Sequence, residues 1–112
     1  GQADAVIVVV DASCLRRGLI LALQLRQQTQ RLVLCVNLMD EAARRGITPQ
    51  TERLGQLLDV PVVAIGGIHK ENILQLKGTG VDGVALVSAI FSAKDIEAEC
   101  RELKALSEQI IK

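Results

Sequence analysis

Two short stretches carry residue types that could do chemistry. The first is "VNLMD", residues 36–40, where Asn37 and Asp40 stand three apart at the end of an aliphatic run. In an N-x-x-D pair the Asp carboxylate can accept two hydrogen bonds from a guanine edge while the Asn amide braces the purine and the loop. The plainer use is structural: Asp40 caps the helical turn that follows, and Asn37 ends a strand. The second stretch is "AIGGIHKEN", residues 64–72, where Gly66 and Gly67 follow another aliphatic run. Consecutive glycines let backbone N–H groups approach an anion with no Cβ in the way. They also serve a tight turn that binds nothing. His69 lies beside the pair and could touch an anion, but no carboxylate or thiol partner is visible near it, so a solvated loop histidine is the plainer reading.

Absent motifs narrow the chemistry. The sequence holds no G-x-x-x-x-G-K-[ST] and no D-x-x-G. Without a phosphate-cradling loop, its lysine and a magnesium ligand, nucleotide hydrolysis is not expected. Thirteen basic and thirteen acidic residues cancel, which disfavours nucleic acid and anionic membranes as partners. No apolar run reaches the roughly 18 residues of a membrane helix, and the N-terminal residues show no charged-then-apolar leader. Cys14, Cys35 and Cys100 are far apart with no metal-binding spacing. They read as reduced core thiols of a cytoplasmic protein, with no metal and no cofactor. With apolar residues at 49% and Phe91 the only aromatic, a folded domain must have an aliphatic core.

These residues need elements to hold them. Four β-rich runs, Ala5–Val10, Arg31–Asn37, Val60–Ile65 and Gly83–Ser88, are nearly continuous in Val, Ile, Leu and Ala. Strands of that kind belong to a parallel sheet buried on both faces. Helices are expected between them. The first spans about Cys14–Gln28, capped by Ser13, with Leu15, Leu19, Leu23 and Leu25 on its apolar side. A short turn over Asp40–Arg45 stops at Gly46. A helix restarts at Thr48-Pro49 and buries Leu54, Leu57 and Leu58. The third is Lys70–Lys77. The last, Lys94–Ile111, buries Ile96, Cys100, Leu103 and Ile110, with Asp95 and Glu97 in its first turn.

Residues 4–65 resemble the later part of the cytosolic G domain of bacterial ferrous-iron transporters (the FeoB family). "VVDASCLRRGLILALQL" (9–25) and "VNLMDEAARRGI" (36–47) carry the likeness. That family usually has Asn where this chain has Cys14 and Gly18, and the sequence after Ile65 departs from a G domain, where a Ser-Ala loop would pack on guanine. The resemblance implies that Asn37 and Asp40 are the vestige of a guanine-reading pair. Residues 60–111 resemble the C-terminal two βα units of thiamine phosphate synthase, a TIM barrel. "VPVVAIGGIHKENILQLKGTGVDGVALVSAIFSAKD" (60–95) carries that likeness at several separated turns. Loops after the seventh and eighth strands of such barrels form a phosphate site. The resemblance therefore implies phosphate contacts at Gly66 and Gly67 in one loop and at Val87 and Ser88 in the next. The synthase holds pyrophosphate and magnesium on earlier strands that have no counterpart in these residues.

The expectation is one α/β domain over residues 1–112, made of four βα units on a parallel four-stranded sheet. Residues 1–59 are G-domain-like, 60–65 form a shared crossover strand, and 66–112 are barrel-like. A three-layer α/β/α arrangement is preferred because it covers both sheet faces, and the alternative is a half-barrel that dimerises. Such a join implies an engineered chimera of βα fragments, not an enzyme, with no evolved catalysis. The alternative function is a small module binding phosphate or sulfate through the glycine loop. Residual guanine-nucleotide or thiamine-phosphate binding ranks last.

Overall fold

The computed structural model describes residues 4–111. Strands β1 (Val6–Asp11), β2 (Leu32–Asn37), β3 (Val62–Ile65) and β4 (Gly83–Ala85) form one parallel sheet in the order β1-β2-β3-β4. The register sets Val8 against Leu34, Val10 against Val36, Val36 against Ala64 and Ala64 against Val84. Side chains alternate between faces along a strand. Val8, Val10, Leu32, Leu34, Val36, Val62 and Ala64 all point one way and are buried.

Every helical element packs on that same face. Helix α1 (Leu15–Gln28) lays Leu15, Leu19, Ala22 and Leu25 over β1 and β2. It lies so close that a Cβ on Gly18 would overlap the Val10 side chain. Helices α2 (Met39–Arg44) and α3 (Thr51–Leu58) add Ala42, Leu54 and Leu58 to the same cluster. A second cluster joins Ala64, Ile68, Ile73, Leu76 and Val81 to Leu103 and Ile110 of α5 (Ile96–Ile110). A four-residue helix, α4 (Ser88–Phe91), precedes it.

The parallel four-stranded α/β domain is as expected, but the preferred three-layer arrangement is not what forms. Sequential strand order with crossovers of one hand brings successive helices to one side. Helix α5 does not cross to the open face: its apolar stripe is satisfied by Ile73 and Leu76 beneath it. The result is two layers, the half-barrel arrangement, and the expectation of strands covered on both faces fails with it.

Local differences have local causes. Lys70–Lys77 forms a 3-10 turn, Ile73–Leu76, not an α-helix. Its i→i+3 geometry puts Ile73 and Leu76 on one side, and both are buried. The fourth strand stops at Ala85, and Ser88 begins α4 instead of ending the strand. Thr48-Pro49 does not open α3, which starts at Thr51 after Gln50. Ser13 does not cap α1: its hydroxyl and amide bond the Asp11 carboxylate at 2.6 and 2.8 Å. Leu23, Leu57 and Ile96 are exposed. So are Cys14 and Cys100, which are not core thiols. Helix α5 starts at Ile96, with the Asp95 carboxylate accepting from the Ala98 amide at 3.1 Å.

Candidate functional site

The ends of β2 and β3 are neighbours, so their following loops meet. Asn37 ends β2 and its Oδ1 accepts from the Leu38 amide at 2.8 Å. Leu38 then takes a left-handed conformation (φ 60°), which turns the chain into α2 and aims Asp40 across at the β3 loop. Gly66 and Gly67 also have positive φ, 97° and 67°. A Cβ on Gly66 would stand 2.6 Å from the Leu38 nitrogen and 3.0 Å from Asn37 Oδ1. A Cβ on Gly67 would overlap the Asp40 carboxylate. The N-x-x-D loop and the glycine pair are thus packed into each other, and the glycines are needed for that closeness.

Asn72 holds the far side of the glycine loop. Its Nδ2 donates to the Gly67 carbonyl at 2.8 Å, and its Oδ1 accepts from the His69 amide at 2.8 Å. Nothing in the sequence marked Asn72 as functional beyond its place three residues after His69, where Asn commonly ties a turn. Between the loops lies a cleft of about 300 Å³, whose lining includes Asp40, Thr48, Gly66, Gly67, Asn72 and Gln75.

The charges around the cleft are largely paired. The Arg44 guanidinium lies 3.6 Å from Asp40 Oδ2 and 2.6 Å from Glu41 Oε2. Hydrogen bonding and attraction from Arg44 hold the Glu41 carboxyl below its ordinary range, and the same pair pushes the Arg44 guanidinium up. Lys70, the cation nearest in sequence to the glycine pair, turns to α5, with Nζ 3.7 Å from Glu99 and 4.0 Å from Glu102. His69 has a carboxylate partner that sequence reading did not find: Nδ1 stands 2.8 Å from Glu71 Oε2. Its own backbone amide and His69 hold the Glu71 carboxyl below its ordinary range against partial desolvation. Burial pushes the Cys35 thiol up, which keeps it neutral and unreactive.

The structure brings together Asn37, Asp40, Gly66 and Gly67. Ser88 lines a second cleft with His69, Lys70 and Glu71, the residues that follow the glycine pair, and Val87 is exposed. Among the described residues no group of three or more His, Cys, Asp or Glu side chains is arranged to hold a metal ion, and no helix is long and apolar enough to cross a membrane.

The family model for ferrous iron transport protein B matches residues 1–79, so over that span the chain belongs to that family. Thiamine-phosphate synthases are relatives of the other part. The synthase of Syntrophomonas wolfei is 50% identical over 56 residues, which is 50% of this chain and 27% of the synthase. That of Pyrococcus abyssi is 43% identical over 56 residues, again 50% and 27%. That of Thermoplasma acidophilum is 52% identical over 54 residues, or 48% and 25%. The chain thus spans about a quarter of the length of these relatives. In three dimensions it is similar to the thiamine phosphate pyrophosphorylase of Pyrococcus furiosus, with a TM-score of 0.51 and 22% identity, covering 93% of this chain and 68% of that one. The chain is a chimera of a ferrous-iron-transporter G-domain part and a thiamine-phosphate-synthase-like part on one α/β sheet.

Proposed function

We propose that this chain, a member of the ferrous iron transport protein B family over residues 1–79 continued by a synthase-like part, is an engineered fold chimera whose role is structural and which has no evolved catalytic activity. One observation carries the reading. Where the two parts meet, the Asp40 carboxylate packs on Gly67, so an element of one parent's ligand site fills the approach to the other's. A carboxylate there repels the phosphate that the glycine pair would cradle. The same contact leaves the face of Asp40 toward the loop occupied by backbone, not by a base. Ser88, which the barrel resemblance pairs with the glycines, lines a cleft with His69, Lys70 and Glu71, and a hydroxyl carries no charge to offset the repulsion. Taken with the missing phosphate-loop and magnesium residues, neither parent's reaction has its full set of groups in these residues.

The test is thermal melting of the 112-residue chain with inorganic phosphate, thiamine phosphate and GDP, each at millimolar concentration. No shift from any ligand is the expected result. Stabilisation by both phosphate compounds, but not by GDP beyond its own phosphates, replaces the scaffold reading with a small phosphate-binding module at Gly66 and Gly67. Stabilisation specific to GDP, abolished in Asp40→Asn, restores residual guanine binding through Asn37 and Asp40.

A further inference from the structure

The two-layer fold leaves one sheet face without a helix. Ile7, Val9, Val33, Cys35, Val63, Ile65 and Ala85 share it by register, and Ile7 and Val9 are 64% and 60% exposed. Among the described residues the sheet also has two free edges, because β1 pairs only with β2 and β4 only with β3. Further large exposed apolar side chains stand on the elements next to those edges. Leu21 and Leu23 stand on opposite flanks of α1, so one of them faces the β1 edge, while Val87, Phe91 and Ile96 follow β4 in the chain. We propose that a second copy of this chain closes the open face, the β1 edge of each copy meeting the β4 edge of the other to form an eight-stranded parallel barrel.

Symmetry supports this occupant over others. A twofold axis along the strand direction keeps all strands parallel and joins β1 to the partner's β4 twice, which leaves no free edge. Two four-stranded sheets supply eight strands, the number at which aliphatic side chains alone fill a barrel interior. The inward residues here are Val, Ile, Ala and Cys, with no charge until Asp11 at the end of β1.

The area reaches the range that a stable complex needs. Each large side chain represents about 60–120 Å² of apolar surface when fully withdrawn from water. Ile7, Val9, Val87, Phe91, Ile96 and one of the α1 leucines are on average a little over half exposed. Two copies together then remove about 430–850 Å² of apolar surface from water. Apolar atoms are about 60% of an interface, so the total is roughly 700–1,400 Å², reaching the lower part of the standard range of about 1,200–2,000 Å². With only three residues in β4 the new ladders are short, so side-chain burial carries the association.

Size-exclusion chromatography with light scattering, from micromolar to millimolar chain, tests the proposal. A dimer is expected, which Val9→Lys converts to a folded monomer, since Val9 is already exposed in the single copy. Leu57→Lys, at a position more exposed than Val9 but on α3 away from the open face, leaves the dimer intact. A monomer across the whole range overturns the proposal. So does a dimer insensitive to Val9→Lys, which places the contact elsewhere, or open-ended assembly, which means the edges pair without twofold closure.

Discussion

Replacing Asp40 with Asn should make the glycine loop a better anion site, and the size of the gain follows from the geometry. An anion seated on Gly66 and Gly67 lies about 5 Å from the Asp40 carboxylate, where two unit charges repel by about 0.8 kcal/mol in water and about 3 kcal/mol at an effective dielectric of 20. The Asp40 side chain is 31% exposed, and the Arg44 guanidinium stands 3.6 Å from its Oδ2. Both weaken the repulsion, which places it near the lower end, about 1 kcal/mol per unit charge. Phosphate at neutral pH carries between one and two charges, so the penalty is about 1.5–2 kcal/mol. At about 1.4 kcal/mol per decade, Asp40→Asn should tighten inorganic phosphate about 10–30-fold. Isothermal titration of phosphate into Asp40→Asn at pH 7.5, against a native chain expected to bind too weakly to register at millimolar phosphate, sets a lower bound on the ratio, with Asp40→Ala as a second variant that also clears the space over Gly67. Equal affinity in all three forms refutes the idea that Asp40 guards the loop. No binding by any of them refutes the loop as a cradle.

Three further perturbations probe the frame around that contact. Thr51 is buried and its hydroxyl donates to the Thr79 carbonyl, tying α3 to the loop before β4. Thr51→Val strands that carbonyl and should cost about 1–3 kcal/mol in urea unfolding, while Thr51→Ser should recover most of the loss. Leu38 holds a left-handed conformation that costs a branched L-residue about 1–2 kcal/mol. Leu38→Gly should therefore raise stability by about 0.5–1 kcal/mol after glycine's own entropy is counted, and a fall in the urea midpoint would falsify the strain reading. Finally, Asp11, Glu41 and Glu71 all have carboxyl groups held below their ordinary values. Hydrogen bonds from the Ser13 hydroxyl and amide lower Asp11, Arg44 lowers Glu41, and Glu71's own amide, with His69, lowers Glu71. Groups with lowered folded values add stability that is complete above the unfolded values, 3.8 and 4.5, and is lost as pH falls through the folded ones. The urea midpoint should be flat from pH 7 to 5 and decline below about 4.5. A midpoint that instead rises into acid contradicts the sign of these contributions.

How far the sequence was legible depends on whether a signal was local. Four aliphatic runs give four parallel strands because β-branched runs specify extended backbone on their own. The plainer reading of the glycine pair as a tight turn is local too, and both residues take the positive φ that glycine alone adopts freely. What the runs could not tell is that only alternate residues would be covered. Val8 and Val9 are equally apolar, yet one is buried and the other 60% exposed, because α1 covers the first face and α5 does not cross to the second. That choice rests on Ile73 and Leu76, whose spacing suits a 3-10 turn as well as an α-helix. The partner of Asp40 was hidden for the same reason. Asp40 and Gly67 each suggested a ligand from its own neighbourhood, guanine for one and phosphate for the other. Once β2 and β3 lie side by side, the nearest group each can reach is the other. A chain whose parts come from two folds brings together surfaces that were not shaped as partners, and this contact is tolerated only because Gly67 has no side chain. Gly67→Ala, strained at a φ of 67° and colliding with Asp40, should therefore cost more in the native background than in Asp40→Ala, by about 1 kcal/mol or more, if the collision and not the backbone strain dominates. Equal costs in the two backgrounds, measured by a double-mutant cycle in urea, leave backbone strain as the sole cause and remove Asp40 from the account of why this position is glycine.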